Sequence, residues 1–148
     1  MLVKEIMSPF VETIEEGDAL RNAAKRMRDL DIGCLVVCKG DDATGIVTDR
    51  DITCYGVADG LDFDSLVVSD VMSKDIIWCS ENEEIEDALR LMENQQLRRL
   101  PVLDDERNLV GIISLGDVSL NLSHNLTGQV VRAVSMSVKK IYPAVVYK

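Results

Sequence analysis

Aromatic residues are scarce, at 4% of the 148 residues, so any core has to be built from Ile, Val, Leu, Met and Ala. There is a single histidine, His124, and no second imidazole or paired nucleophile accompanies it. No Ser/His/Asp set, Walker loop or paired-carboxylate motif stands out. The four cysteines, Cys34, Cys38, Cys54 and Cys79, include no C-x-x-C pair. Structural zinc needs closely spaced Cys and His ligands, so these thiols read as small buried apolar groups in a reducing compartment. Cys34 and Cys38 would share one face of a strand. No apolar run approaches the roughly 18 residues that a membrane span requires. The N-terminal residues lack the charged-then-apolar order of a secretion signal, so a cytoplasmic location is expected. Basic residues are outnumbered: 16 Lys and Arg face 26 Asp and Glu, for a net charge of −10. A field of that sign repels phosphate backbones and anionic lipid, which argues against nucleic acid or membrane partners.

What is present is a repeat. Val3-Lys4-Glu5-Ile6-Met7-Ser8 matches Val68-Ser69-Asp70-Val71-Met72-Ser73 at an offset of 65. Leu20, Ala23 and Met27 match Ile85, Ala88 and Met92, and Leu35 and Val37 match Leu100 and Val102. One inserted residue then makes Gly45 to Asp51 match Gly111 to Asp117 at an offset of 66. Such self-similarity decides architecture before any local signal does.

Both units share one grammar. Leu20, Ala23, Ala24 and Met27 form a helical stripe, and Ile85, Ala88, Leu89 and Met92 repeat it. Ser80 to Glu83 has capping-box spacing ahead of the second stripe, with Asn82 a rival N-cap. Cys34 to Cys38 and Leu97 to Leu103 are apolar enough for buried strands, and Pro101 predicts a strand edge or end. Short polar turns lead to second strands, so each pair should form an antiparallel hairpin. A helix then starts at Asp49 or Leu115. Residues Gly56 to Leu66 read as the connection. The prediction is an α+β fold: two βαββα repeats, residues 1–60 and 61–122, packed through their sheets with pseudo-twofold symmetry. A unit of this size is marginal alone, and two would share a core. Residues 123–148 form a tail. Leu120 to Val134 can continue as helix, and Ser135 to Lys148, with Pro143 and Ala144-Val145-Val146-Tyr147, could be an added strand, a dimer arm or disordered.

The most informative chemistry is Gly-x-x-Thr/Ser-x-x-Asp, found as Gly45, Thr48, Asp51 and as Gly111, Ser114, Asp117. The hydroxyl falls where a strand becomes a helix, and the carboxylate lies one turn on, on the same side. A carboxylate there can accept both hydroxyls of a ribose, and the Thr or Ser hydroxyl can bond sugar or phosphate. The same spacing is also a capping-box variant, in which Thr48 and Ser114 serve only the helix start. The two roles are compatible in an empty site. Arg98 and Arg99 stand where the first unit has Gly33 and Cys34, and a guanidinium fork suits phosphate oxygens. Arg50 is another phosphate candidate. The second unit has Leu115 and Gly116 in place of Asp49 and Arg50, so the two sites need not share a phosphate preference.

The repeated Val-x-x-Ile/Val-Met-Ser, the segment Leu97-Arg98-Arg99-Leu100-Pro101-Val102 and the two Gly-x-x-Thr/Ser-x-x-Asp motifs together resemble tandem CBS domains. These are the regulatory modules named after cystathionine β-synthase. The resemblance covers residues 1 to 122, and Gly45 to Ile52 is especially like small stand-alone bacterial members. It implies a disc-like module that often dimerises, with an adenosine ligand between the units: AMP, ADP, ATP with or without Mg²⁺, or S-adenosylmethionine. By that resemblance Asp51 and Asp117 would take ribose hydroxyls, with Thr48 and Ser114 assisting at ribose or α-phosphate. Ile14, Ile32 and Val36, with Cys79, Leu97 and Pro101, would enclose the adenine. The implied protein is not an enzyme. It is a sensor whose ligand shifts the packing of the units, with output through an unknown protein partner in trans or through a homodimer. The alternatives are a ligand-free scaffold or interaction module, and a thiol-based redox or metal sensor using the four cysteines.

Overall fold

The computed structural model describes residues 1–60 and 62–136. The first unit runs β1 (Thr13–Glu15), α1 (Leu20–Leu30), β2 (Cys34–Lys39), β3 (Asp42–Thr48) and α2 (Asp49–Asp51), which continues as a π-helical turn over Ile52–Val57. After β4 (Ser73–Lys74), the second unit repeats the pattern as β5 (Cys79–Ser80), α3 (Ile85–Gln95), β6 (Arg99–Leu103), β7 (Leu109–Ser114) and α4 (Leu115–Asn121). A further helix, α5 (His124–Ser135), follows. The expected βαββα grammar is present twice.

The pairings are equivalent in the two units. β1 lies parallel to β2, which pairs antiparallel with β3. β5 and β6 are parallel, and β6 and β7 form the second hairpin. Both hairpins carry a register shift at the same place, after Val37 and after Val102. α1 and α3 end identically, on a left-handed residue, Asp31 or Gln96. The next amide reaches back to the carbonyl of Met27 or Met92, the closure that satisfies the last carbonyls of a helix. The apolar stripes predicted for these helices are the buried ones: Leu20, Ala23 and Met27, and Ile85, Ala88, Leu89 and Met92.

The units are joined by exchanging their leading segments. Val3 and Ile6 belong to the core of the second unit, beside Cys79, Ile85 and Leu100. Leu66, Val68 and Val71 belong to the core of the first, beside Ile14, Leu20 and Leu35. Ser73–Lys74 adds an antiparallel strand to the open edge of β3, and Ser8 bridges Ile112 on the open edge of β7. The β3 and β7 edges are thus each met by the leader of the other repeat, which pairs part of an otherwise open edge. The two glycines of the repeated motif permit these crossings, because a side chain at either would collide with the passing leader.

Four local expectations need correction. Pro101 lies in β6, the central strand of its sheet, not on an edge strand. It is tolerated because β5 covers only Val102 and Leu103, so the side where Pro101 lacks an N–H faces no partner. In the first unit the same position is Val36, whose N–H donates to the Glu12 carbonyl at 3.1 Å. Ser80 to Glu83 does not cap α3. Glu84 is its N-cap and makes no side-chain cap bond. The Glu83 carboxylate instead accepts from the Ser80 N–H at 3.2 Å, closing the turn before the helix. Leu120 to Val134 is two helices, because Leu122 is extended and Ser123 starts α5, its hydroxyl accepting from the Leu126 N–H at 3.3 Å. The connection is shorter than Gly56 to Leu66, since Gly56 lies in the π-helical turn and Leu66 in the first core. The tail residues Lys139, Lys140, Pro143 and 144–148 lie outside the described residues.

Candidate ligand clefts

Thr48 and Ser114 are the N-caps of α2 and α4, and each makes the full reciprocal box with the aspartate three residues on. The Thr48 hydroxyl accepts from the Asp51 N–H at 3.1 Å, and the Thr48 N–H donates to Asp51 Oδ2 at 2.9 Å. The Ser114 hydroxyl accepts from the Asp117 N–H at 3.2 Å, and the Ser114 N–H donates to Asp117 Oδ2 at 2.8 Å. The capping role of these residues is therefore realised, and it holds each carboxylate in one orientation beside the strand end.

The two aspartates differ in what remains. Asp117 Oδ1 accepts from the hydroxyl of Ser8, 3.0 Å away on the first unit's leader. Asp51 Oδ1 has no hydrogen-bond partner among the described residues. Ser8 was not singled out from the sequence. Its signal was the serine that ends both leader repeats, at Ser8 and Ser73.

Two clefts lie between the units. The first, about 330 Å³, sets Ser114 and Asp117 of the second unit against Ile32, Gly33, Cys34 and Val36 of the first. The exposed Phe10 borders it. The second, about 720 Å³, sets Thr48 and Arg50 of the first unit against Ile77, Leu97 and Arg98 of the second. Arg99 lines both. It is the repeat equivalent of Cys34 and lies close enough to act on that thiol, so the pseudo-twofold axis passes near this pair.

Of the candidate residues, Ile32, Val36, Arg99, Ser114 and Asp117 meet at the first cleft, and Thr48, Arg50, Leu97, Arg98 and Arg99 at the second. Asp51 is held next to the second cleft by Thr48 but is not part of its wall. Ile14 and Cys79 are inside the two cores, Pro101 is buried in β6, and Gly45 and Gly111 lie under the leaders. Glu12, Asp31, Lys74 and Asp75 complete the walls and carried no motif signal.

The cysteines are free thiols. Burial pushes Cys79 up to about 12 from 9.0, with the Glu83 carboxylate adding to it. Burial also raises Cys34, where nearby Arg99 offsets part of the effect and Asp49 adds to it. Cys38 is raised by burial and by Glu15, Asp41 and Asp42. Thiols held protonated are poor nucleophiles and poor metal ligands. Among the described residues, no group of three or more Cys, His, Asp or Glu could hold a metal ion, and no helix is long and apolar enough to cross a membrane.

A doubled βαββα unit with exchanged leaders and two clefts at equivalent strand-to-helix junctions defines a tandem-repeat module. The family model for the CBS domain matches residues 3–57 and 68–124. The chain belongs to the CBS-domain family and carries two such domains. Hypoxic response protein 1 of Mycobacterium tuberculosis is 36% identical over 132 residues, covering 88% of this chain and 92% of that one. The crystal structure of Hypoxic Response Protein I with two coordinated zinc ions matches at a TM-score of 0.74 and 35% identity, over 83% of this chain and 100% of that one. The CBS domain pair of protein MJ0100, solved with 5′-methylthioadenosine and S-adenosyl-L-methionine, matches at a TM-score of 0.71 and 26% identity, over 81% and 98% of the two chains.

Proposed function

We propose that this chain is a regulatory sensor that binds an adenosine derivative in the clefts between its two CBS domains. The observation that carries the reading is the doubled motif: Thr48 with Asp51, and Ser114 with Asp117, each stand at a strand-to-helix junction beside a cleft built from both units. A ligand there touches both units, so it favours whichever relative packing it binds better. That is the physical basis of a signal passed to a protein partner in trans, and it needs no catalytic group. Asp51 and Asp117 are assigned to ribose hydroxyls, and Thr48 and Ser114 to ribose or α-phosphate. The apolar walls at Ile32 and Val36, and at Leu97, are assigned to adenine. The ligand complex of MJ0100 supports the adenosine class. Homodimerisation belongs to the same proposal. It is supported by the prevalence of twofold dimers and by exposed Tyr55, Val57 and Leu120 on the helical segments that follow the two motifs.

Isothermal titration calorimetry tests this with AMP, ADP, ATP with and without Mg²⁺, and S-adenosylmethionine. Replacing a carboxylate that accepts ribose hydroxyls removes charge-assisted hydrogen bonds of about 1.5–3 kcal/mol, roughly 10- to 100-fold in affinity. Asp51→Ala or Asp117→Ala should cause that loss. A folded, ligand-free protein that gives no heat with any of these compounds would refute the reading.

A further inference from the structure

We infer that the two clefts sort adenosine ligands by charge: the second takes a polyphosphate, and the first takes an uncharged or cationic derivative without phosphate. This rests on the adenosine reading above and assigns a different ligand class to each site.

The charged groups on the two walls carry the inference. The first cleft presents the carboxylates of Glu12, Asp31 and Asp117 against the single guanidinium of Arg99. Arg26 pairs with Glu12 at 2.6 Å, and Asp117 has its equivalent in Asp51 beside the second cleft, which leaves Asp31 against Arg99. The second cleft presents Lys74, Arg50, Arg98 and Arg99 against Asp49 and Asp75. None of those four cations forms an ion pair among the described residues. They are donors without acceptors, arranged around one cavity in a chain whose net charge is −10. Concentrating unpaired cations there against the overall field is what an anionic ligand requires, and guanidinium groups match phosphate oxygens in geometry. A phosphate in the first cleft would instead meet like charge, which costs affinity.

Size points the same way. The first cleft holds about 330 Å³, near the lower end for small-molecule sites, and the second about 720 Å³. The charge difference follows in part from one local substitution between repeats. Where the first unit has Gly33 and Cys34, the second has Arg98 and Arg99. Arg98, just before β6, lines the second cleft alone, while Arg99, the first residue of β6, lines both. In the first cleft the corresponding wall is bare backbone and a thiol, with Asp31 before it.

The test is calorimetry on the full chain with ATP and with 5′-methylthioadenosine, each alone and each after saturation with the other. Wild type should bind one of each per chain, with neither displacing the other. Arg98→Ala, at an exposed position on the second cleft only, should weaken ATP at least about tenfold and leave methylthioadenosine unchanged. Asp31→Asn, also exposed and still tolerant of the left-handed backbone, should admit a second, weaker ATP. Competition between the two ligands, two ATP per chain in wild type, or an Arg98→Ala effect on both or neither would overturn the sorting while leaving the sensor reading intact. So would binding of only one of the two compounds. No binding of either compound, or of any other adenosine derivative, would bring down the sensor reading and the sorting together.

Discussion

An added β-carbon at Gly45 would sit 2.2 Å from the carbonyl oxygen of Ser73, and one at Gly111 would sit 2.5 Å from the sulfur of Met7. The obstacle at Gly45 is backbone and cannot swing away. Gly45→Ala should therefore cost more than the roughly 1–3 kcal/mol typical of overpacking, and Gly111→Ala, facing a flexible methionine as well as the Ser8 carbonyl at 3.0 Å, somewhat less. Gly128→Ala in α5 is the contrast: nothing lies within 4 Å, and it should stabilise by about 0.5–1 kcal/mol by removing backbone freedom from the unfolded chain. Chemical denaturation of the three variants checks the order. Cys79 makes a pH prediction. Its folded value is raised to about 12 from 9.0, so its contribution to stability is complete below pH 9 and is lost as pH rises from 9 toward 12. Cys79→Ala should be less sensitive to pH over that window in urea titrations.

At the scale of elements, caps and leaders matter more than intrinsic propensity. Ser123 separates α4 from α5 and caps α5, so Ser123→Ala should cost about 1 kcal/mol, read as a fall in thermal midpoint. Gln96, the left-handed residue that ends α3, is not replaceable by Gly without loss elsewhere. Its side-chain amide donates to the carbonyls of Ala133 at 3.2 Å and Met136 at 2.7 Å, tying the end of α5 to the second unit. The leaders give a crossed outcome. Val3→Ala and Val68→Ala each remove two methyl groups from a fully buried site and should each cost about 2 kcal/mol. Hydrogen exchange should nevertheless show Val3→Ala loosening α3 of the second unit, and Val68→Ala loosening α1 of the first. Loosening within the same repeat instead would contradict the exchange of leaders.

For the whole molecule, exchange makes each core depend on the leader of the other repeat. Removing residues 1–8 should uncover the core around Val3 and Ile6 and open the β7 edge at Ile112, so the truncated chain should lose cooperative unfolding or aggregate. The intact chain should unfold in one transition. The same arrangement places each cleft between groups from both units, which makes it suited to report on their relative position.

The amino-acid pattern alone determined the doubled unit, the buried stripes of α1 and α3, the hairpins and the residues of both motifs, because each of these follows from local periodicity and from an offset of 65 or 66. Thr48 and Ser114 were legible as the caps they are and, from the same spacing, as the candidate site residues proposed above. Tertiary structure decided which unit each leader serves, because Val3 and Val68 look identical in sequence and differ only in the core that receives them. It also decided that the Ser8 hydroxyl meets Asp117, 109 residues away, and that Arg98 and Arg99 gather with Arg50 and Lys74 around one cleft while Asp31 faces the other. Those juxtapositions arise from packing one repeat against the other. No spacing along the chain encodes them, and they are what makes two related clefts electrostatically different.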